Sequence, residues 1–245
     1  MNKNDPIQLL FGGLEKLGPA AEVVTLEALR SLPKDHYSTV VDAGCGTGQQ
    51  TLVLAEELKT LVHAVDTNEE FLRHLNDRAR VRGIDRFVRT LCLDMQDIPI
   101  QFPEIDLLWS EGAAYNIGFS NALVTWAHAV VPGGFAVVSE LTWLRDDIPA
   151  SVEQFFAREY SGMQTMDANL VAAEHAGYKT LRTQVLPDDA WVTGYYDILG
   201  ARASSLKDHP DETVRVLAES TLEEIEIFRQ SIGSYGYVLY SLERT

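Results

Sequence analysis

The sequence predicts an α/β fold built on a mostly parallel sheet with helices on both faces. Short apolar, β-branched runs alternate with longer segments in which apolar residues recur three and four apart. A glycine-rich turn, "DAGCGTG" at 42–48, follows the first of those runs directly. The chain of 245 residues is long enough for one sizeable core and shows no internal repeat or low-complexity linker, so a single domain is expected.

The predicted strands, in order, are 38–44 (STVVDAG), 61–66 (LVHAVD), 87–94 (FVRTLCLD), 105–111 (IDLLWSE) and 134–140 (GFAVVSE). Between them, 49–58, 68–83 and 121–131 carry helical periodicity. Thr67 or Asn68 is placed to cap the second of these helices and Gly83 to end it. After the fifth strand the rhythm changes. Two helical stretches (149–163 and 166–177) precede a strand at 178–187, and a last strand at 235–244 closes the chain. The last two strands flank mostly helical text, which predicts antiparallel pairing across a long excursion. That excursion, 188–233, holds ten acidic and four basic residues and is a candidate lid.

Net charge is −16, which argues against a partner that presents a phosphate backbone, because such affinity comes from clustered Lys and Arg. Only two cysteines occur, Cys45 and Cys92. The amino terminus lacks a signal-peptide pattern, and no run reaches the roughly 20 apolar residues of a membrane span. A soluble, cytoplasmic protein is expected. The histidines show no paired metal-ligand spacing, so no metal site is predicted.

The glycine turn falls where the first strand ends and a helix begins, the edge at which open α/β sheets bind ligands. Gly44, Gly46 and Gly48 permit positive φ and close approach of a ligand to the backbone. Their GxGxG spacing departs from the dinucleotide GxGxxG, since Gln49 stands at the third position after Gly46, and no Lys-Ser/Thr follows to make a P-loop. A nicotinamide-dependent oxidoreductase is thereby disfavoured. Asp42 beside the turn favours a ligand with positive charge. Asp66 ends the second strand, where a carboxylate accepts from ribose hydroxyls. Asp94 ends the third, suited to an exocyclic amine, with Leu93 or Met95 against an aromatic base.

In order and spacing, "VVDAGCGTG", "HAVD", "CLDMQDIP", "IDLLWSEGAAYNIGF" and "VVPGGFAVVSE" resemble the successive motifs of the Rossmann-like (class I) S-adenosylmethionine-dependent methyltransferases, nearest to small-molecule enzymes of the ubiquinone/menaquinone biosynthesis type. The resemblance implies seven strands with the last antiparallel beside the sixth. It covers roughly 38–187, the expected cofactor-binding core, and the final strand at 234–245; a helical cap over 1–37 and a helical insert at 188–233 are expected around them. It also implies S-adenosylmethionine as cofactor, held by Asp42, Gly44, Cys45, Gly46, Thr47, Gly48, Asp66, Thr67, Leu93, Asp94, Met95 and Glu111.

For the methyl acceptor, the ends of the fourth and fifth strands are informative. Glu111 and Glu140 close neighbouring strands and are expected to face one cleft, suiting a general base or a cationic substrate. Tyr115 joins them as a catalytic candidate. Tyr115, Asn116, Trp143, Tyr195 and Tyr196 are the substrate-binding candidates, and Trp109 is assigned to the core. The expected function is methyl transfer to a nitrogen, oxygen or carbon nucleophile of a small molecule by a monomer or homodimer, without nucleic acid or membrane. The alternative is a protein that binds S-adenosylmethionine or S-adenosylhomocysteine without transferring the methyl group.

Overall fold

A computed structural model describes residues 5–245; the first four residues of the expected N-terminal cap lie outside it. Eight strands form one sheet: β1 (Val40–Ala43), β2 (Val62–Asp66), β3 (Val88–Cys92), β4 (Ile105–Ser110), β5 (Val130–Trp143), β6 (Gln164–Thr165), β7 (Tyr178–Val185) and β8 (Tyr235–Arg244). The main path runs β3-β2-β1-β4-β5-β8-β7, and β6 pairs with the far end of β5. All pairings are parallel except those of β8, which lies antiparallel between β5 and β7. The seven expected strands are all present, and the two-residue β6 is an addition that its length hid.

All four residues of β1 are buried, because β1 is central and covered on both faces; such strands read as continuous apolar runs rather than alternating ones. β5 is twice as long as the predicted run, starting at Val130 ahead of Pro132-Gly133-Gly134, and its pairing with β4 shifts register between Ile105 and Leu107. The strand therefore begins where a helix was expected to continue.

The helices are α1 (Pro6–Phe11), α2 (Glu22–Ser31), α3 (Gln49–Leu58), α4 (Glu69–Val81), α5 (Ile98–Gln101), α6 (Phe119–Trp126), α7 (Ala150–Glu159), α8 (Met166–His175), α9 (Asp189–Trp191), α10 (Asp197–Leu206) and α11 (Glu212–Gln230). Asn68 caps α4 by accepting from the backbone N–H groups of Glu70 and Phe71. One face of the sheet packs on α2, α3 and α4, with Trp109 fully buried there. The other packs on α6 and α8. A third core joins α1, α7, α10 and α11 through Leu10, Phe155, Trp191, Leu199 and Phe228. The 188–233 excursion is thus a packed helical layer with an apolar interior, its acidic residues on the outside except Glu224, which accepts from the Tyr196 hydroxyl. Within it, Gly194 (φ 74°) breaks the helical path between α9 and α10.

Candidate functional site

In this strand order the chain turns back at β1 and β4, and the loops following these two neighbours open a crevice at their carboxyl ends. The crevice is a cleft of about 650 Å³. Its lining includes Gly44, Cys45, Gly46 and Thr47 after β1, Asp66 and Thr67 after β2, Leu93, Asp94 and Met95 after β3, and Glu111, Tyr115 and Asn116 after β4. Most of the cofactor-binding candidates are therefore brought together in one place.

Positive φ is realised at Gly44 (71°) and Gly48 (84°). A Cβ at Gly44 would lie 2.3 Å from the Ala113 Cβ, and one at Gly48 would lie 2.1 Å from the Leu75 Cδ1. Gly48 lies outside the cleft lining: it packs against α4 and starts α3. Its glycine answers to a leucine, where close approach of a ligand was expected.

Asp66 organises the loop. One carboxylate oxygen accepts from the Gly46 N–H at 2.8 Å and the other from the Asn68 N–H at 2.8 Å. Each oxygen keeps a further lone pair for a hydroxyl donor. Asp94 Oδ1 accepts from the Gln96 N–H, which leaves Oδ2 for a ligand. Met95 is anchored through its carbonyl, which accepts from the Trp126 indole N–H at 3.0 Å.

Asp42 lies beneath the loop rather than in the cleft. It is buried, and its carboxylate accepts from the Thr51 hydroxyl. Burial, with the charges of Glu111 and Asp66 adding to it, pushes its pKa up to about 7. It is not among the residues that line the cleft.

Glu111 is held by three donors: the Thr25 hydroxyl (2.9 Å), the Trp109 indole N–H (2.8 Å) and the Gln50 amide (3.3 Å). Burial raises its pKa against those hydrogen bonds. Glu140 does not share this cleft, contrary to expectation. Ser110 pairs with Val138, which sets Glu111 level with Ser139, one residue short of Glu140. Successive residues point to opposite faces of a strand, so the two carboxylates diverge. Glu140 Oε1 instead accepts from the Tyr160 hydroxyl at 2.7 Å, and burial raises its pKa to about 7.

The remaining candidates also separate. Trp143 lines a second cavity of about 410 Å³ with Phe156, Tyr160 and Met163. Tyr195 and Tyr196 are buried and stacked at 5.1 Å, outside both cavities. Cys92 is exposed at the end of edge strand β3.

The segment 7–20, expected as part of the helical cap but with none of its residues named for the site, lines the cleft with Phe11, Lys16 and Leu17. The Glu15 carbonyl accepts from the Thr47 hydroxyl and from Arg78, which also donates to the Thr47 carbonyl. Arg78 thereby ties this segment to the glycine loop. Only the Gly-Gly and Gly-Pro breaks at 12–13 and 18–19 hinted at a non-helical strap. Among the lining residues four carboxylates (Glu15, Asp66, Asp94, Glu111) stand against one ammonium, Lys16, so the cleft favours a cation.

Residues 40–134 match a family described as methyltransferase domain. A trans-aconitate 2-methyltransferase from Azoarcus sp. (strain BH72) is 28% identical over 188 residues, covering 74% of this chain and 63% of that protein. The chain thus matches under two thirds of that relative's length. Among solved structures, a SAM-dependent methyltransferase from Thiobacillus denitrificans in complex with S-adenosyl-L-homocysteine superposes with a TM-score of 0.81 at 17% identity over the full length of both chains. The [4+2]-cyclase SpnF shares the fold, with a TM-score of 0.72 at 18% identity over 94% of this chain and 85% of its own.

Proposed function

We propose that this protein transfers a methyl group from S-adenosylmethionine to a small molecule, because residues 40–134 match a family described as methyltransferase domain and the whole chain takes the class I S-adenosylmethionine-dependent methyltransferase fold. The observation that carries the reading is the cleft itself: a positive-φ glycine loop, Asp66 and Asp94 with acceptor capacity to spare, and an acidic lining at the carboxyl ends of β1 to β4.

The chain's residues fit that group. Asp66 would take the ribose hydroxyls and Asp94 the adenine amine, with Leu93 and Met95 against the base. The loop from Gly44 to Thr47 and the charge of Glu111 would hold the methionine portion. When bound, the sulfonium supplies a methyl group and departs as a neutral thioether, so no proton has to be delivered to the leaving sulfur. The protein's share is positioning, exclusion of water and removal of a proton from the acceptor. The strap over 7–20 and Tyr115 border the cleft where water must be kept out.

Supply of methyl-labelled S-adenosylmethionine with panels of amines, phenols and carboxylic acids tests this reading. Label passing to at least one acceptor, with equal S-adenosylhomocysteine released, is expected. A second reading, cofactor binding without methyl transfer, has support in the likeness of the fold to a cyclase. It takes first place if the cofactor binds and no acceptor class is labelled.

A further inference from the structure

Gly46 owes its missing side chain to the strap. A Cβ at this positive-φ position (53°) would lie 2.7 Å from the Leu17 Cδ1, so the strap rests on the glycine loop itself. Leu14 and Ala20 are buried and fix the two ends of the resting segment, while Glu15 to Pro19 between them keep exposed surface. Residues 12–21 belong to no helix or strand, so their backbone groups look to side chains or water for partners. Three basic side chains answer. Arg202 on α10 donates to the Leu10 and Gly12 carbonyls, Lys16 to the Ala20 and Thr193 carbonyls, and Arg78 on α4 to the Glu15 carbonyl.

Arg78 differs from the other two in what else it holds. Its Nη1 donates to the Glu15 carbonyl at 3.1 Å and to the Thr47 carbonyl at 2.8 Å, and its Nη2 donates to the Gln49 Oε1 at 3.1 Å. The Thr47 hydroxyl closes the same junction by donating to the Glu15 carbonyl at 3.0 Å. One guanidinium thus spans the strap, the glycine loop and the first residue of α3. All three acceptors are neutral oxygens, to which a charged donor bonds more strongly than a neutral one. Arg78 is half-buried and does not line the cleft, whereas Glu15, Leu17, Gly46 and Thr47 do. Its effect on a ligand there passes through the backbone of these two segments.

We propose that Arg78 is a positioning residue for the cofactor: it locks the strap to the glycine loop, so that the cofactor leaves the cleft only when this junction opens. This rests on the cofactor reading above and adds the residue that governs exchange. With the junction closed, both segments present fixed backbone to the cleft and the strap forms part of its wall. Without the guanidinium, the Thr47 carbonyl loses its charged donor, and the strap keeps only the Thr47 hydroxyl and the Leu17 contact at this junction. Opening such a junction locally costs far less than unfolding the molecule, so exchange should speed up while the fold persists. Arg202 is the internal contrast, because it fastens the strap to the helical layer and donates to nothing in the glycine loop.

The test is surface plasmon resonance of S-adenosylhomocysteine on the full chain, with amide hydrogen exchange read over 15–18 and 44–48. R78M removes every donor and keeps an apolar stem; S-adenosylhomocysteine is expected to dissociate about tenfold faster from it, with association within about twofold of wild type. Exchange is expected to rise over both segments together. R78K should fall between R78M and wild type, because an ammonium is a point donor where the guanidinium is a fork. R202M should raise exchange over 9–13 and leave 44–48 as in wild type. Thermal midpoints check folding, and R78K carries the comparison if R78M does not fold. Exchange rising in one segment only, or R202M loosening the glycine loop as much as the Arg78 variants do, would overturn the proposal. Wild-type binding with dissociation unmoved in the folded Arg78 variants would overturn the proposal alone. No binding of S-adenosylhomocysteine by the wild type would overturn the cofactor reading and the proposal with it.

Discussion

Asp66 shows how one residue serves loop and ligand together. Its carboxylate already accepts from Gly46 and Asn68, so Asp66→Ala should both loosen the glycine loop and remove the ribose acceptor. A loss of roughly 1–3 kcal/mol in S-adenosylhomocysteine affinity is expected by titration, from the buried donors left unpaired; unchanged affinity would show that the ribose lies elsewhere. Gly48→Ala should lower stability, because the added methyl meets Leu75 at a backbone conformation that alanine resists; a lowered thermal midpoint checks it. Asp42 and Glu140 make a prediction about pH. Burial raises both to about 7, from 3.8 and 4.5, so between roughly pH 4 and 7 the folded state binds more protons than the unfolded one. Stability of the ligand-free protein should fall as pH rises through that window. E140Q should flatten the fall, by an upper bound of roughly 3 kcal/mol, as read by urea denaturation at pH 5 and pH 8. Asp66 and Asp94 were legible in the sequence because one ends β2 and the other follows β3 closely, and that place at the carboxyl edge fixes what each faces. The pairing of Glu111 with Glu140 was misread because it turns on the register between β4 and β5, which slips by three residues between Ile105 and Leu107.

At the scale of elements, the alternation of apolar runs and helical periods located β1 to β4 and α3 within a few residues, since local pattern determines which face is buried. β5 was underestimated because Pro132 and two glycines at 133–134 look like a break, yet the sheet absorbs them in a bulge. The helices of 188–233 were legible as helices. Their place was not, because it depends on a core assembled from α1, α7, α10 and α11, elements far apart in sequence. In that core Phe228 is 1% exposed and stacks on Trp191 at 4.9 Å. Phe228→Ala should cost about 3–5 kcal/mol in unfolding experiments. The cofactor cleft draws no residue from α11, so S-adenosylhomocysteine affinity should survive under conditions where the variant remains folded.

At the scale of the whole molecule, the loops after β1 to β4 open one cleft at the carboxyl ends of these strands. The crevice between the loops of β1 and β4 carries the residues suited to a nucleoside with a positive sulfur. The helical layer formed by α7, α10 and α11 packs against Leu141 of β5 and Tyr235 of β8. Net charge of −16 agrees with a cationic ligand in that cleft without specifying one. No helix among the described residues is long and apolar enough to cross a membrane. The central claim is that the cleft after β1 binds S-adenosylmethionine, and parallel calorimetric titrations with S-adenosylmethionine, S-adenosylhomocysteine and NAD test it most directly. Binding of the two adenosyl compounds at one site per chain, weakened by Asp66→Ala, with NAD silent, is the predicted result. Binding of NAD alone, or of none of the three, would contradict it.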